Sequence, residues 1–141
     1  ISPGDCKNPY VKKLYCEKDK TADYYIGSCQ LTADGIAEIM LTAYPSLIIP
    51  PDESKWISNI NRDGDGNVLG LSVCGIRMSC EEFRSLFDIR SPSFDISYTQ
   101  RLYSFTTRGD GCNCGMSVYS ALKLSERGYS ARQILNEFYN L

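Results

Sequence analysis

The chain of 141 residues contains no histidine. That absence removes the commonest general base and the commonest zinc ligand, leaving carboxylates, thiols, hydroxyls and amines for any chemistry. Nowhere do two cysteines stand at C-x-x-C spacing, which leaves a zinc ribbon without support. No run approaches the roughly 18 uninterrupted apolar residues of a membrane span, and no charged-then-apolar leader opens the chain. Excess positive charge is missing too. With 15 basic and 17 acidic residues the net charge is -2, which excludes the broad basic footprint of a nucleic-acid binder. Internal repeats and low-complexity segments are likewise absent.

What is present is an ordinary globular mixture, 43% hydrophobic and 23% charged, at a length that suits one domain over residues 1–141. The chain opens on Ile1, so an upstream portion removed by processing or truncation is expected. The seven cysteines are Cys6, Cys16, Cys29, Cys74, Cys80, Cys112 and Cys114, an odd count that leaves at least one without an internal disulfide partner. Cys74 and Cys80 flank a short turn region and have the spacing for a bridge, but the reading for the set is scattered plain thiols.

Periodicity gives the elements. Tyr24 to Cys29 reads as a strand leading into a helix, in which Ile36, Ile39, Met40, Ala43 and Tyr44 form one apolar face, Thr32 is the N-cap and Pro45 the stop. Leu47 to Asp52 is expected to cross the surface as an extended connection. Trp56 to Arg62 and Val68 to Val73 read as strands around Asp63-Gly64-Asp65-Gly66-Asn67. This turn imitates the start of a calcium loop, but its twelfth position is Ser72 where a bidentate glutamate is required, so a hairpin turn is the expectation. Val73 to Met78 is a second hairpin, and Ser79 with Glu82 a capping box. Phe94, Ile96 and Tyr98 alternate, as do Leu102 to Thr107, giving two strands around Thr99-Gln100-Arg101. Met116 to Arg127 reads as a helix closed by Gly128, and Ser130 with Gln133 caps a last helix. The fold class is α+β, a largely antiparallel sheet of hairpins with three or four short helices.

Between the last strand and that helix lies Arg108-Gly109-Asp110-Gly111-Cys112-Asn113-Cys114-Gly115-Met116-Ser117-Val118-Tyr119. Its glycines permit tight turns and close backbone approach, and a helix beginning at Cys114 or Gly115 would offer free amides to an anion or carbonyl oxygen. The spacing is not that of a Walker loop. Two thiolates need two further ligands that the sequence does not place, and a direct Cys112–Cys114 bridge is strained. No metal and no cofactor are expected, and the Arg-Gly-Asp tripeptide is too short to identify a receptor ligand.

The stretch Ser104 to Ala121 resembles the C-terminal signature of the stage II sporulation protein D (SpoIID) family, which includes the amidase enhancers and runs Gly-aromatic-Gly-His-Gly-Val-Gly-Met-Ser-Gln-aromatic-Gly-Ala. Phe83 to Phe94 is similar to the family's Arg-x-x-Leu-x-Leu-Arg-Ser-Thr-x-Phe run, and Gly128 to Tyr139 to its Gly-x-x-Tyr-x-x-Ile-Leu-x-x-Tyr-Tyr ending. The blocks occur in family order. The specific likeness covers about residues 56–139, with Asn8-Pro9-Tyr10-Val11 similar to a Pro-Tyr-Leu segment upstream. Asp110 stands where the family has an aromatic residue, Cys112 where it has histidine, Cys114 where it has valine and Val118 where it has glutamine.

The resemblance implies a bacterial cell-wall protein, exported or membrane-anchored on the extracytoplasmic side. Such proteins bind peptidoglycan glycan strands, cleave them as lytic transglycosylases during sporulation or wall remodelling, and work beside partners such as a cell-wall amidase. The family's Glu-Met-Pro-type and His-Ser-x-Ser-Gly-Gly motifs are not present. Glu38, Glu53, Glu81, Glu82, Glu126 and Glu137 all sit in stretches that read as solvated faces, caps or connections, so no catalytic residue is assigned. Two expectations follow: the C-terminal portion of a lytic transglycosylase whose acid lies upstream, inactive alone, or a non-catalytic, degenerate glycan-binding module. In either, Arg108, Asp110, Asn113, Ser117 and Tyr119 are the expected substrate-binding residues.

Overall fold

The computed structural model describes residues 9–12, 14 and 16–141. Cys6 and Asn8 lie outside the described residues. Among the described residues six strands form two three-stranded antiparallel sheets, and four α-helices accompany them, an α+β fold.

Strict alternation builds the first sheet. In β6 (Leu102–Arg108) Tyr103, Phe105 and Thr107 all point inward and are buried. The strand lies between β1 (Ile26–Thr32) and β5 (Phe94–Thr99), both antiparallel to it. A two-residue turn joins β5 to β6, with Gln100 and Arg101 at φ of 51° and 64°, the left-handed pair that matches strand twist. Neither residue favours that region. The Arg101 guanidinium pairs with Glu53 and Asp34, at 2.9 and 2.7 Å.

The second sheet runs β2 (Ile57–Arg62), β3 (Val68–Val73) and β4 (Ile76–Ser79). Its central strand is almost wholly buried because both faces are covered. The β2–β3 connection is a hairpin loop as expected: the Asp63 carboxylate accepts from the amides of Asp65 and Asn67 and from Asn67 Nδ2, each at 2.9 Å. Cys74 and Gly75 make the β3–β4 turn at φ of 49° and 85°.

Thr32 caps α1 (Ala33–Ala43), and Ser79 with Glu82 forms a complete capping box for α2 (Cys80–Phe87). Phe83 of α2 packs on Phe87, Phe94 and Phe105 with ring centroids 4.8, 5.6 and 5.9 Å apart. This aromatic cluster, with Ile36 and Met40 from α1 and Leu71 and Val73 from β3, makes one continuous core. Ser130 with Gln133 caps α4 (Ala131–Phe138) by the same box. Near the chain's ends, Val11 pairs antiparallel with Tyr139.

Several boundaries move for identifiable reasons. Tyr24 and Tyr25 precede β1 because Tyr25 N–H closes a turn onto Ala22 C=O. Trp56 stays outside β2 because it closes the preceding 3-10 turn Glu53–Lys55, with φ and ψ of -59° and -39° and its backbone N–H on Glu53 C=O. Helix α3 is Val118–Ser125, two residues later than expected at its start. Gly111, Asn113 and Gly115 have φ of 118°, 54° and 91°, which no right-handed helix accepts. Its far end matches the expectation in kind: Gly128 N–H bonds Ser125 C=O and Tyr129 N–H bonds Leu124 C=O, a Schellman closure with Gly128 at C′. Cys74 and Cys80 are both free thiols, so no bridge joins them.

Two tests follow. A Cβ on Gly27 would meet Arg90 Nε at 2.6 Å and Thr107 Oγ1 at 2.7 Å, so Gly27→Ala must displace the arginine lying across β1. A loss of about 1–3 kcal/mol in urea denaturation is expected. Burial pushes the Cys80 thiol up to about 11. The unfolded thiol ionises near ~8.5, so this stabilisation is complete below that pH and lost as pH rises through the folded value. Melting temperature should fall between about pH 8.5 and 11, and fall less steeply in Cys80→Ala.

Candidate functional site

The loop after β6 is held in place by hydrogen bonds to distant segments. Gly109 N–H donates to Tyr25 C=O at 2.7 Å, Gly111 N–H to Arg90 C=O at 2.9 Å and Met116 N–H to the Tyr139 hydroxyl at 3.2 Å. Left-handed angles at Gly109, Gly111, Asn113 and Gly115 bend the loop into one wall of a cleft of about 920 Å3. Asp19 and Lys20 of the 3-10 turn Glu17–Thr21, together with Tyr24, Tyr25, Asp65, Asn67 and Ser93, line the rest of it.

All five expected site residues line this cleft, with different freedom. Arg108 ends β6 and its guanidinium pairs with Asp95 rather than with its neighbour Asp110. Asp110 is exposed, and among the described residues no hydrogen bond or ion pair occupies its carboxylate. Asn113 spends its amide on Asn67 Oδ1 at 2.9 Å. Ser117 is the N-cap of α3, accepting from Ser120 N–H at 3.0 Å while its hydroxyl donates to Asp19 at 2.6 Å. Tyr119 stands edge-on to Tyr24 at 6.4 Å, with its hydroxyl 3.3 Å from Thr21 Oγ1 and the Lys123 ammonium 5.6 Å from its ring centre.

The helix end anticipated as an anion site is therefore already served. Asp19 accepts from the hydroxyls of both Ser117 and Ser120 at 2.6 Å and sets a carboxylate at the amino end of α3, where the helix dipole favours it. Sequence reasoning missed Asp19, Lys20, Tyr24, Tyr25 and Asn67 as cleft residues. The adjoining Tyr24-Tyr25 pair was the available signal, but it reads equally well as strand. Glu17 was also passed over; it lies exposed in the 3-10 turn.

The thiols divide as well. Cys112 is a free, exposed thiol, as expected, whereas Cys114 is disulfide-bonded and so corrects the plain-thiol reading for that position. No group of three or more metal-ligating acids or thiols occurs among the described residues. Acidity in the cleft comes from Asp19, Asp65 and Asp110, and no described glutamate lines it. Glu53, half-buried, accepts from Tyr98 at 3.1 Å and pairs with Arg101 away from the cleft.

No family model matches the chain, and no curated protein matches it. No helix among the described residues is long and apolar enough to cross a membrane.

Removing the carboxylate that joins the 3-10 turn to α3 should loosen this side of the cleft alone. For Asp19→Ala a loss of about 1–3 kcal/mol is expected. Amide exchange should accelerate in residues 17–21 and 117–121 and stay unchanged in β6.

Proposed function

We propose that the cleft binds glycan strands of peptidoglycan and that the chain acts as the C-terminal part of a lytic transglycosylase of the sporulation protein D type, on the extracytoplasmic side of a bacterium. The observation that carries this reading is the convergence of Arg108, Asp110, Asn113, Ser117 and Tyr119 on one cleft that also presents Tyr24 and Tyr25. Concave sites of roughly 300–1,000 Å3 with a few placed polar groups suit small ligands or short polymer segments. Tyrosine rings offer an apolar face to a sugar ring and a hydroxyl at the tip. Asp110 and the unpaired edge of the Arg108 guanidinium supply an acceptor and donors for sugar hydroxyls and acetamido groups. Asn113 and Ser117 shape the wall, since their own polar groups already have partners.

Strand cleavage needs a carboxylic acid that protonates the glycosidic oxygen and then takes a proton from the sugar's 6-hydroxyl. In the resembling family that acid is a glutamate, and the cleft has none among the described residues. Binding without cleavage is the activity assigned to this chain alone. A missing acid/base group by itself typically costs about 10²–10⁴ in rate.

In an NMR titration with glycan strands stripped of stem peptides, saturable shifts are expected at Tyr24, Asp110 and Tyr119. The dissociation constant should lie near the millimolar range, about -4 kcal/mol. Tyr119→Ala should abolish the shifts, and no anhydro-sugar products should form. Absence of saturable shifts would overturn the binding reading. Anhydro-product release lost on changing one of the chain's own glutamates to glutamine would overturn the assignment of binding without cleavage.

A further inference from the structure

Cys16, Cys112 and Cys114 line the same cleft and are chemically unequal. Cys114 is disulfide-bonded, whereas Cys16 and Cys112 are thiols. Cys112 is exposed, and its S–H is directed back onto the backbone carbonyl of Cys114, 3.3 Å away. A nucleophilic sulfur is therefore folded over the residue that carries the disulfide.

The backbone between them sets the reach. Asn113 has φ of 54°, the left-handed helical region for a residue other than glycine. A single helical step of this kind separates the flanking α-carbons by roughly 5.4 Å. Disulfides span α-carbon separations of about 4.4–6.8 Å. The turn at Asn113 thus brings the two α-carbons within the span of a disulfide. Gly111 and Gly115, at φ of 118° and 91°, flank the pair and let the loop adjust without side-chain clashes.

We propose that Cys112 is a thiol–disulfide exchange site. The Cys112 thiolate attacks Cys114 Sγ, a sulfur–sulfur bond forms between them, and the bond from Cys114 to its present partner breaks with that partner leaving as a thiolate. Cys112 gives its proton to solvent and the leaving sulfur takes one up, so no net oxidation occurs and no external oxidant is required. The exchange moves a covalent tie from the loop's outside to its inside. It thereby changes how the wall carrying Asp110 and Tyr119 is anchored. A small thiol or disulfide of the glutathione type sets the position of the exchange by competing for the same sulfurs. None of this depends on the glycan reading.

The test uses the native chain in a reduced/oxidised glutathione buffer, with samples blocked by iodoacetamide over time and digested with trypsin. Cleavage after Arg108 and Lys123 leaves both cysteines in one peptide, residues 109–123. Exchange should produce this peptide unlabelled and two hydrogens lighter, faster at higher pH because the thiolate is the attacking form. It should form equally in Cys16→Ser. In Cys112→Ser the internally bridged peptide cannot form, and the Cys114 disulfide should open only to the added glutathione. Wild-type protein that keeps Cys112 fully alkylatable and Cys114 on its first partner throughout would overturn the proposal. So would a Cys16–Cys114 bridge in place of the internal one.

Discussion

The segment from Ile89 to Ser93 is the constraint on which the two sheets and the cleft all depend. Pro92 C=O accepts from Val68 N–H of β3 at 2.8 Å, and Ser93 C=O accepts from Arg108 N–H of β6 at 2.8 Å, so one short stretch stitches the sheets together. Arg90 C=O accepts from Gly111 N–H in the cleft loop, and its guanidinium reaches Tyr24 C=O and Thr107 across β1. Ser91, completely buried, donates to Arg108 C=O at 2.5 Å. The segment is itself held by Arg84 of α2, whose guanidinium donates to the carbonyls of Ile89 and Arg90 at 3.0 and 2.9 Å. Buried backbone groups demand partners, and here a single arginine supplies two.

That arrangement explains why the cleft wall is well defined although it is a loop. Four of its residues have left-handed backbone angles, and each would be free to reorient in an isolated peptide. The amides of Gly109, Gly111 and the following Met116 are instead spent on Tyr25, Arg90 and Tyr139, from three different parts of the chain. Helix α3 is set by the same economy of partners, its first turn tied by Asp19 through two serine hydroxyls. The groups left over at the surface of the cleft, Asp110, the tyrosine rings and the Cys112 thiol, are those available to a ligand or reagent.

Much of the fold was legible because its signals are local. Capping boxes at Ser79 and Ser130, the cap at Thr32, the Gly128 closure and the alternation in β5 and β6 each need only neighbouring residues to take effect. Where reading and structure part, backbone conformation decided the matter: the helical angles of Trp56 shortened β2, and the turn angles from Gly111 to Gly115 delayed α3. Of the site, the wall from Arg108 to Tyr119 was readable as a glycine-rich, polar stretch. The cleft residues between Cys16 and Tyr25 were not.

The sequence by itself determined the α+β class, the hairpin turns, the caps and the concentration of polar and sulfur chemistry between Arg108 and Tyr119. Those properties follow from side-chain period and from backbone angles that particular residues permit. Only the tertiary structure decided that β1 pairs with β6, 82 positions apart (108 − 26) between the first partners Ile26 and Arg108. It likewise placed Asp19 on Ser117 and Ser120, separated the disulfide-bonded Cys114 from the free Cys112, and turned Arg108 toward Asp95 instead of Asp110. Each of these outcomes depends on which distant donors and acceptors a packed core brings within about 3 Å, the length of a hydrogen bond, and that proximity has no signature along the chain.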